Sequence, residues 1–365
     1  MNSLIGERLF VLREDRAMSQ AAVAAMLGLK DRQSVQAIES GDRSVKAEEL
    51  VKLAQGFKVP LDFFTDPFRL SQKAEFSWRK SGAIGKAEIS SFQEKAKGWM
   101  GAYRALAEEE GELPVLLKRI GIGERSSFED ARAAAERLVR DHFPADEIPS
   151  KALARVIEDD LGTLVIMADA DPGISGAACR TIDMNVTIVN RTEPAERRNF
   201  DLAHELFHVL TWNELPPAYF DGEEAGRKQN RTEQLANNFA GALLAPVHML
   251  EKHRTGDVGT AEWLNRTADE FGISSAALKF RLLNLDWISK AQADAVPEAA
   301  LRNNGRPARK AEAPLPFGRK FLSAFATGID EGRISVRKAA GILGVTVDGL
   351  RSLLEAHGFE NAFDL

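Results

Sequence analysis

Apolar positions along the chain change period twice. Leu4, Ile5, Leu9 and Leu12 recur at helical spacing and predict an opening amphipathic helix. A second follows at 19–28, where Ser19 is a natural cap and Gly28 a natural stop. A third spans 32–39, with Val35 and Ile38 inward and Gly41 beyond, and 47–57 and 61–64 add two more. Five short helices thus fill 1–66. Residues 66–90 read as a connector around a lone Phe76-Ser-Trp-Arg-Lys80 cluster, and 87–110 as a long helix. Ser126-x-x-Glu129 predicts a capping box opening a helix to about 141, and 149–161 another that Gly162 ends. Residues 67–149 are therefore a helical linker region.

The period then shortens. Residues 164–167 predict a strand, and 174–181 with 186–190 a hairpin, together a small antiparallel sheet. Next come a nearly continuous apolar helix at 199–210 and a helix at 231–246 with Leu235, Ala236, Phe239, Ala240, Leu243 and Leu244 on one face, ended by Pro246. Helices at 260–271 and 274–285 complete a unit over 150–295. A basic, proline-broken linker covers 296–318. A helical hairpin over 318–365 echoes 18–28 in running Ser, eight residues, Gly; any two packed helices need such a cap and stop, so packing is the plainer reading. The fold class is α+β, mostly α.

Composition narrows the function. Apolar content of 44% and charged content of 28% are those of a soluble globular protein. A net charge of −6 argues against wholesale coating of nucleic acid but leaves room for a local reading head. One cysteine, Cys179, permits no intrachain disulfide and suits a reducing compartment. No apolar run is long enough to span a membrane, and the first residues lack a signal-peptide core, so a cytoplasmic location is expected.

The chemistry concentrates in His204-Glu205-x-x-His208. Residues four apart on a helix share a face, so both imidazoles can grip one Zn²⁺ with Glu205 beside them as general base. Chance supplies this pattern in on the order of one such chain in a hundred. Glu233, near the start of the following helix, completes a His₂Glu set, and Asn237, one turn on, is placed to hold a ligating histidine. Taken alone, Glu233 is merely a favourable acid in a first turn. Tyr219 and His248 are candidate oxyanion donors, although a surface tyrosine and a solvated histidine are the plainer identities.

Phe200-x-Leu-Ala-His-Glu-Leu-x-His208, with Glu233-x-x-Ala-Asn-x-Phe-Ala240 and Leu243-Leu-x-Pro246, resembles the ImmA/IrrE-type zinc metallopeptidases over about 150–285. The resemblance implies a zincin-like core, zinc held by His204, His208 and Glu233, and Glu205 as base. Phe207 departs from it, because the family often has a small residue there.

The first unit resembles Xre/Cro-type helix-turn-helix domains through Ser19-Gln, Leu27-Gly, Val35-x-x-Ile-Glu-x-Gly41 and Val59-Pro-Leu-Asp-Phe-Phe64. Its turn, Leu29-Lys-Asp31, is one residue longer than is common there. Arg32, Gln33, Ser34 and Gln36 on the presumed recognition helix can read base edges, and Gln20 can reach a phosphate. Nine Lys/Arg against ten Asp/Glu in 1–66 make affinity per monomer modest, so specific binding to a double-stranded operator calls for a homodimer. Two functions compete. One is a DNA-binding regulator that cleaves a repressor or regulatory protein at a limited site. The other is a non-catalytic regulator or antitoxin of a toxin–antitoxin operon, with the zinc fold as sensor or scaffold.

Overall fold

The computed structural model describes residues 2–70, 73–80, 84–110, 113, 119–219, 227–301 and 313–359. Its first unit holds α1 (Asn2–Asp15), α2 (Gln20–Leu27), α3 (Arg32–Glu39), α4 (Ala47–Phe57) and α5 (Asp62–Thr65). Ser19 caps α2 by accepting the Ala22 amide at 3.1 Å, and Gly28 ends it in the left-handed conformation. Asp31 caps α3 through the Ser34 amide at 2.9 Å. Leu9, Val23, Val35, Ile38, Leu53 and Phe64 close the core of this unit.

The rest of the chain supplies β1 (Glu75–Lys80), α6 (Lys86–Glu110), α7 (Phe128–His142), α8 (Pro149–Asp159), β2 (Leu164–Ala168), β3 (Ile174–Arg180) and β4 (Asn185–Asn190). There follow α9 (Ala195–Thr211), α10 (Arg227–Leu244), α11 (Val247–Lys252), α12 (Ala261–Phe271), α13 (Ser275–Asn284) and α14 (Lys290–Ala295). Last come α15 (Arg319–Asp330), α16 (Val336–Leu343) and α17 (Val347–Ala356). The mostly helical α+β class is as expected, but the sheet is mixed rather than wholly antiparallel. Its order is β1-β3-β4-β2; β2 lies parallel to β4, and the β3–β4 hairpin and β1–β3 are antiparallel. The connector cluster at 76–80 is thus an edge strand, pinned because Phe76 stacks on Trp78 and Trp78 meets Phe92 of α6 edge-on.

Alternation along the strands divides two cores. Phe76, Trp78, Ala177, Cys179, Val186 and Ile188 face α6 and α15–α17. Val165 and Val189 face the other layer, where Leu202, Leu206, Phe239 and Leu243 of α9 and α10 meet α7, α8, α12 and α13. The C-terminal hairpin packs against α6: Ser335 and Gly344 cap α16, Ala339, Ala340 and Leu343 are buried, and the Trp99 indole N–H of α6 donates to the Ile342 carbonyl at 3.0 Å. Lys338 on α16 also pairs with Asp66 at 2.6 Å. The capping box before α7 is Ser127/Asp130, one residue later than expected, because the Ser126 hydroxyl accepts the Gly123 amide instead. The basic stretch read over 296–318 lies partly outside the described residues.

The helical head is held to this body by the segment after α5. Arg8, fully buried, donates to the carbonyls of Phe63 at 2.7 Å and Asp66 at 2.6 Å. The same segment presses on α6 where Gly101 leaves room: an added Cβ would stand 2.4 Å from Leu70 N and 2.6 Å from Phe68 O.

Candidate metal centre

The side chains of α9 from Asp201 to Thr211 are all buried, as its nearly unbroken apolar sequence requires. Four-residue spacing stacks His204 over His208, and α10 packs alongside with Glu233 and Asn237 stacked likewise. His204 Nε2 and Glu233 Oε2 are 3.1 Å apart, His208 Nε2 and Glu233 Oε1 3.5 Å, and the two Nε2 atoms 3.1 Å. One donor atom from each of the three residues lies within 4.8 Å of the others. Two helices therefore bring together the three side chains expected to act as ligands.

Asn237 lies one turn beyond Glu233 on α10. Its Oδ1 is 3.0 Å from His204 Nδ1 and accepts that proton, which turns the Nε2 lone pair of His204 inward. Burial, then the nearby charge of Arg79, lowers the His204 pKa from 6.5 to about 3, so the ring is neutral. Burial alone would raise Glu233; hydrogen bonds to His204 and His208 outweigh it and hold the carboxyl well below the usual carboxylate range. A neutral imidazole, a second imidazole and an anionic carboxylate thus converge on one point. This electron-rich hollow has the donor chemistry that a divalent cation neutralises, and His₂Glu leaves a further position open. The residues present fit such an ion.

Glu205 is fully buried beside the pair. It faces β3 at Gly176, where an added Cβ would stand 3.8 Å from Glu205 Cγ and only 2.6 Å from Ile188 O. Phe207 turns away from this face into the core against Phe239, ring centroids 5.5 Å apart. Cys179 lies on the opposite face of the sheet, its Sγ 3.7 Å from Met100 Sδ, in the structural role expected. The Tyr219 hydroxyl donates to Gln93 Oε1 at 2.8 Å, on the α6 side of the sheet rather than over α9. His248 is half-buried on α11.

Sequence reading missed Arg79. From β1 it reaches across to Asp201 of α9, Nε to Oδ1 at 2.8 Å, and a cleft of about 290 Å³ lies between this pair, Arg197, Phe200 and Ser274. Nothing in local spacing links residues 79 and 201; only the sheet does.

On the helical head, Arg32, Gln33 and Gln36 are exposed together along α3, while Ser34 is half-buried and its hydroxyl bonds Asp31 at 3.1 Å. Gln20 opens α2 and is half-buried. Its amide donates to Glu39 Oε2 at 2.8 Å, and Glu39 also pairs with Arg13 at 2.6 Å, so Gln20 belongs to an internal network.

The layered body with this helix pair defines a metallopeptidase-like domain, and the head defines a helix-turn-helix reader. Comparison with known families agrees: residues 11–64 match the helix-turn-helix family and residues 158–283 match a peptidase family described as the IrrE N-terminal-like domain. The chain is a fusion of an Xre-type helix-turn-helix segment with an IrrE/ImmA-like domain. Curated proteins contain no match to it. No helix among the described residues is long and apolar enough to cross a membrane.

Proposed function

We propose that this protein is a DNA-binding transcriptional regulator whose zinc metallopeptidase domain cuts a repressor or other regulatory protein at a limited site. The observation that carries the reading is the convergence of His204, His208 and Glu233 beside Glu205, in a chain that also bears a DNA-reading head. Zinc held by those three residues supplies Lewis acidity, which polarises a peptide carbonyl and makes water easier to deprotonate. Glu205 takes the proton of the attacking water and passes it to the leaving amine. Asn237 keeps His204 in the tautomer that offers Nε2. Arg32, Gln33 and Gln36 read base edges in the major groove of an operator, with a homodimer supplying two half-sites.

The head is strapped to the body through Arg8, Asp66 and Lys338, which supports coupling between cleavage and promoter occupancy under stress. Mass spectrometry of the native protein tests the centre: wild type carries one zinc and His204→Ala carries none. Stress-induced loss of one protein partner in wild type, absent in Glu205→Gln, tests turnover. Promoter release that proceeds equally in Glu205→Gln removes the coupling.

One observation favours the second reading. His204, Glu205 and His208 are at most 1% exposed, a burial that suits a sensor or scaffold, as in an antitoxin. A toxin gene next door, and equal target half-life with wild type and His204→Ala, would select it.

A further inference from the structure

β1 reaches the metal centre from outside the peptidase-like segment, because residues 75–80 fall in neither matched stretch, 11–64 or 158–283. Its Arg79 pairs in the sheet with Gly176 of β3, and paired residues project to the same face. That face is turned to α9, since a Cβ on Gly176 would stand 3.8 Å from Glu205 Cγ. Trp78, one residue earlier, takes the opposite face and meets α6. Arg79 is thus directed at the ligand helix, where its Nε meets Asp201 Oδ1 at 2.8 Å. Asp201 precedes His204 by three residues and Glu205 by four, so all three share one side of α9.

The pair is unevenly covered: Asp201 is fully buried and Arg79 partly exposed. A carboxylate so deeply buried needs a cation beside it. Arg197 is engaged chiefly elsewhere, its Nε 2.9 Å from Glu193 Oε2 and 3.6 Å from Asp201 Oδ2. The charge of Arg79 also acts on His204, disfavouring positive charge on that ring. A divalent cation on His204 Nε2 meets the same repulsion, because charges in a buried site are weakly screened. Arg79 without its carboxylate would loosen the metal, and Asp201 offsets it.

We propose that Arg79 and Asp201 form a compensated pair that sets the metal affinity of the centre, with Asp201 neutralising a cation that would otherwise oppose a divalent ion on His204, His208 and Glu233. This rests on the metal reading and deepens it, but does not require turnover. The grip on the metal is then set partly by a residue of the strand that follows the strap of the helical head.

The full chain is titrated with zinc against a chromophoric chelator at fixed pH and salt. Asp201→Asn keeps the shape and an acceptor for Arg79 but leaves the guanidinium uncompensated, so zinc affinity is expected to fall about tenfold. Adding Arg79→Met removes that charge and is expected to bring affinity back to within about threefold of wild type. Arg79→Lys in the Asp201→Asn background keeps the charge and is expected to stay weak. A merely structural pair behaves oppositely, because the second substitution then adds to the damage instead of repairing it. Melting of the zinc-free chain is recorded for each variant. Should Asp201→Asn not fold by itself, the methionine and lysine double variants carry the comparison, and the methionine variant is expected to bind zinc more tightly. Unchanged affinity in Asp201→Asn, or no recovery on adding Arg79→Met, would overturn the proposal. Wild type that binds no zinc removes the metal reading and the compensated pair together, whereas zinc bound equally by wild type and Asp201→Asn removes the pair alone.

Discussion

Replacing Asn237 by leucine removes the acceptor of the His204 Nδ1 proton, a bond of 3.0 Å, while leaving the three candidate ligands in place. Without that acceptor the imidazole can carry its proton on Nε2 and can rotate, and both changes oppose metal binding. Partners of this kind are worth about 10- to 100-fold in metal affinity. Asn237 is solvent-exposed, so water can replace part of the lost bond, and the lower end applies. We therefore expect zinc affinity to fall about tenfold, equivalent to about 1.4 kcal/mol. Competition of the full chain against a chromophoric zinc chelator at fixed pH measures this directly. Asn237→Asp keeps the acceptor and should hold affinity at or above that of wild type. An Asn237→Leu affinity within twofold of wild type, alongside complete loss in His204→Ala, would refute the orienting role of this bond.

Three further outcomes are expected. Burial raises the Glu158 carboxyl from 4.5 to about 7, so the folded chain keeps a proton that the unfolded chain releases. Its contribution is complete below about pH 4.5 and lost as pH rises through 7, a change of about 3 kcal/mol; Glu158→Gln should flatten that slope in urea unfolding series across pH. Gly101→Val drives a side chain into the main chain of Leu70 and Phe68, which cannot yield as a flexible side chain would. It should cost about 1–3 kcal/mol and expose residues 63–70 to trypsin, and an unchanged digest would count against the strap. Arg32→Ala should weaken binding to the promoter upstream of the protein's own gene by about 1–3 kcal/mol, whereas Gln20→Ala should lower the melting temperature of the head through its lost bond to Glu39; gel shifts and calorimetry separate the two.

What could be read in the sequence was local. His204 with His208, and Glu233 with Asn237, are each one helical turn apart, so the 3.6-residue repeat alone puts each pair on one face. The caps Ser19 and Ser335, and the stops Gly28 and Gly344, likewise act within a few residues. Local rules failed where two choices were equivalent nearby. Ser126/Glu129 and Ser127/Asp130 both have capping-box spacing, and the Gly123 amide, by engaging Ser126, selected the second.

Pairing across the sheet was decided only by the fold. Alternation marks a strand but does not say which neighbour it takes, so the parallel β2–β4 pair was not foreseeable. Phe76-Ser-Trp-Arg-Lys80 is too short and too distant from its partners to declare itself a strand; it becomes one because β3 offers hydrogen bonds and α6 offers a surface for Trp78. The same closure brings Arg79 to Asp201 and spends Gln20 on Glu39. The sequence by itself determined which residues share a helix face and where helices begin and end, because helical repeat and capping are short-range. Tertiary structure alone decided what surrounds them, because burial and strand pairing join residues whose separation along the chain carries no signal.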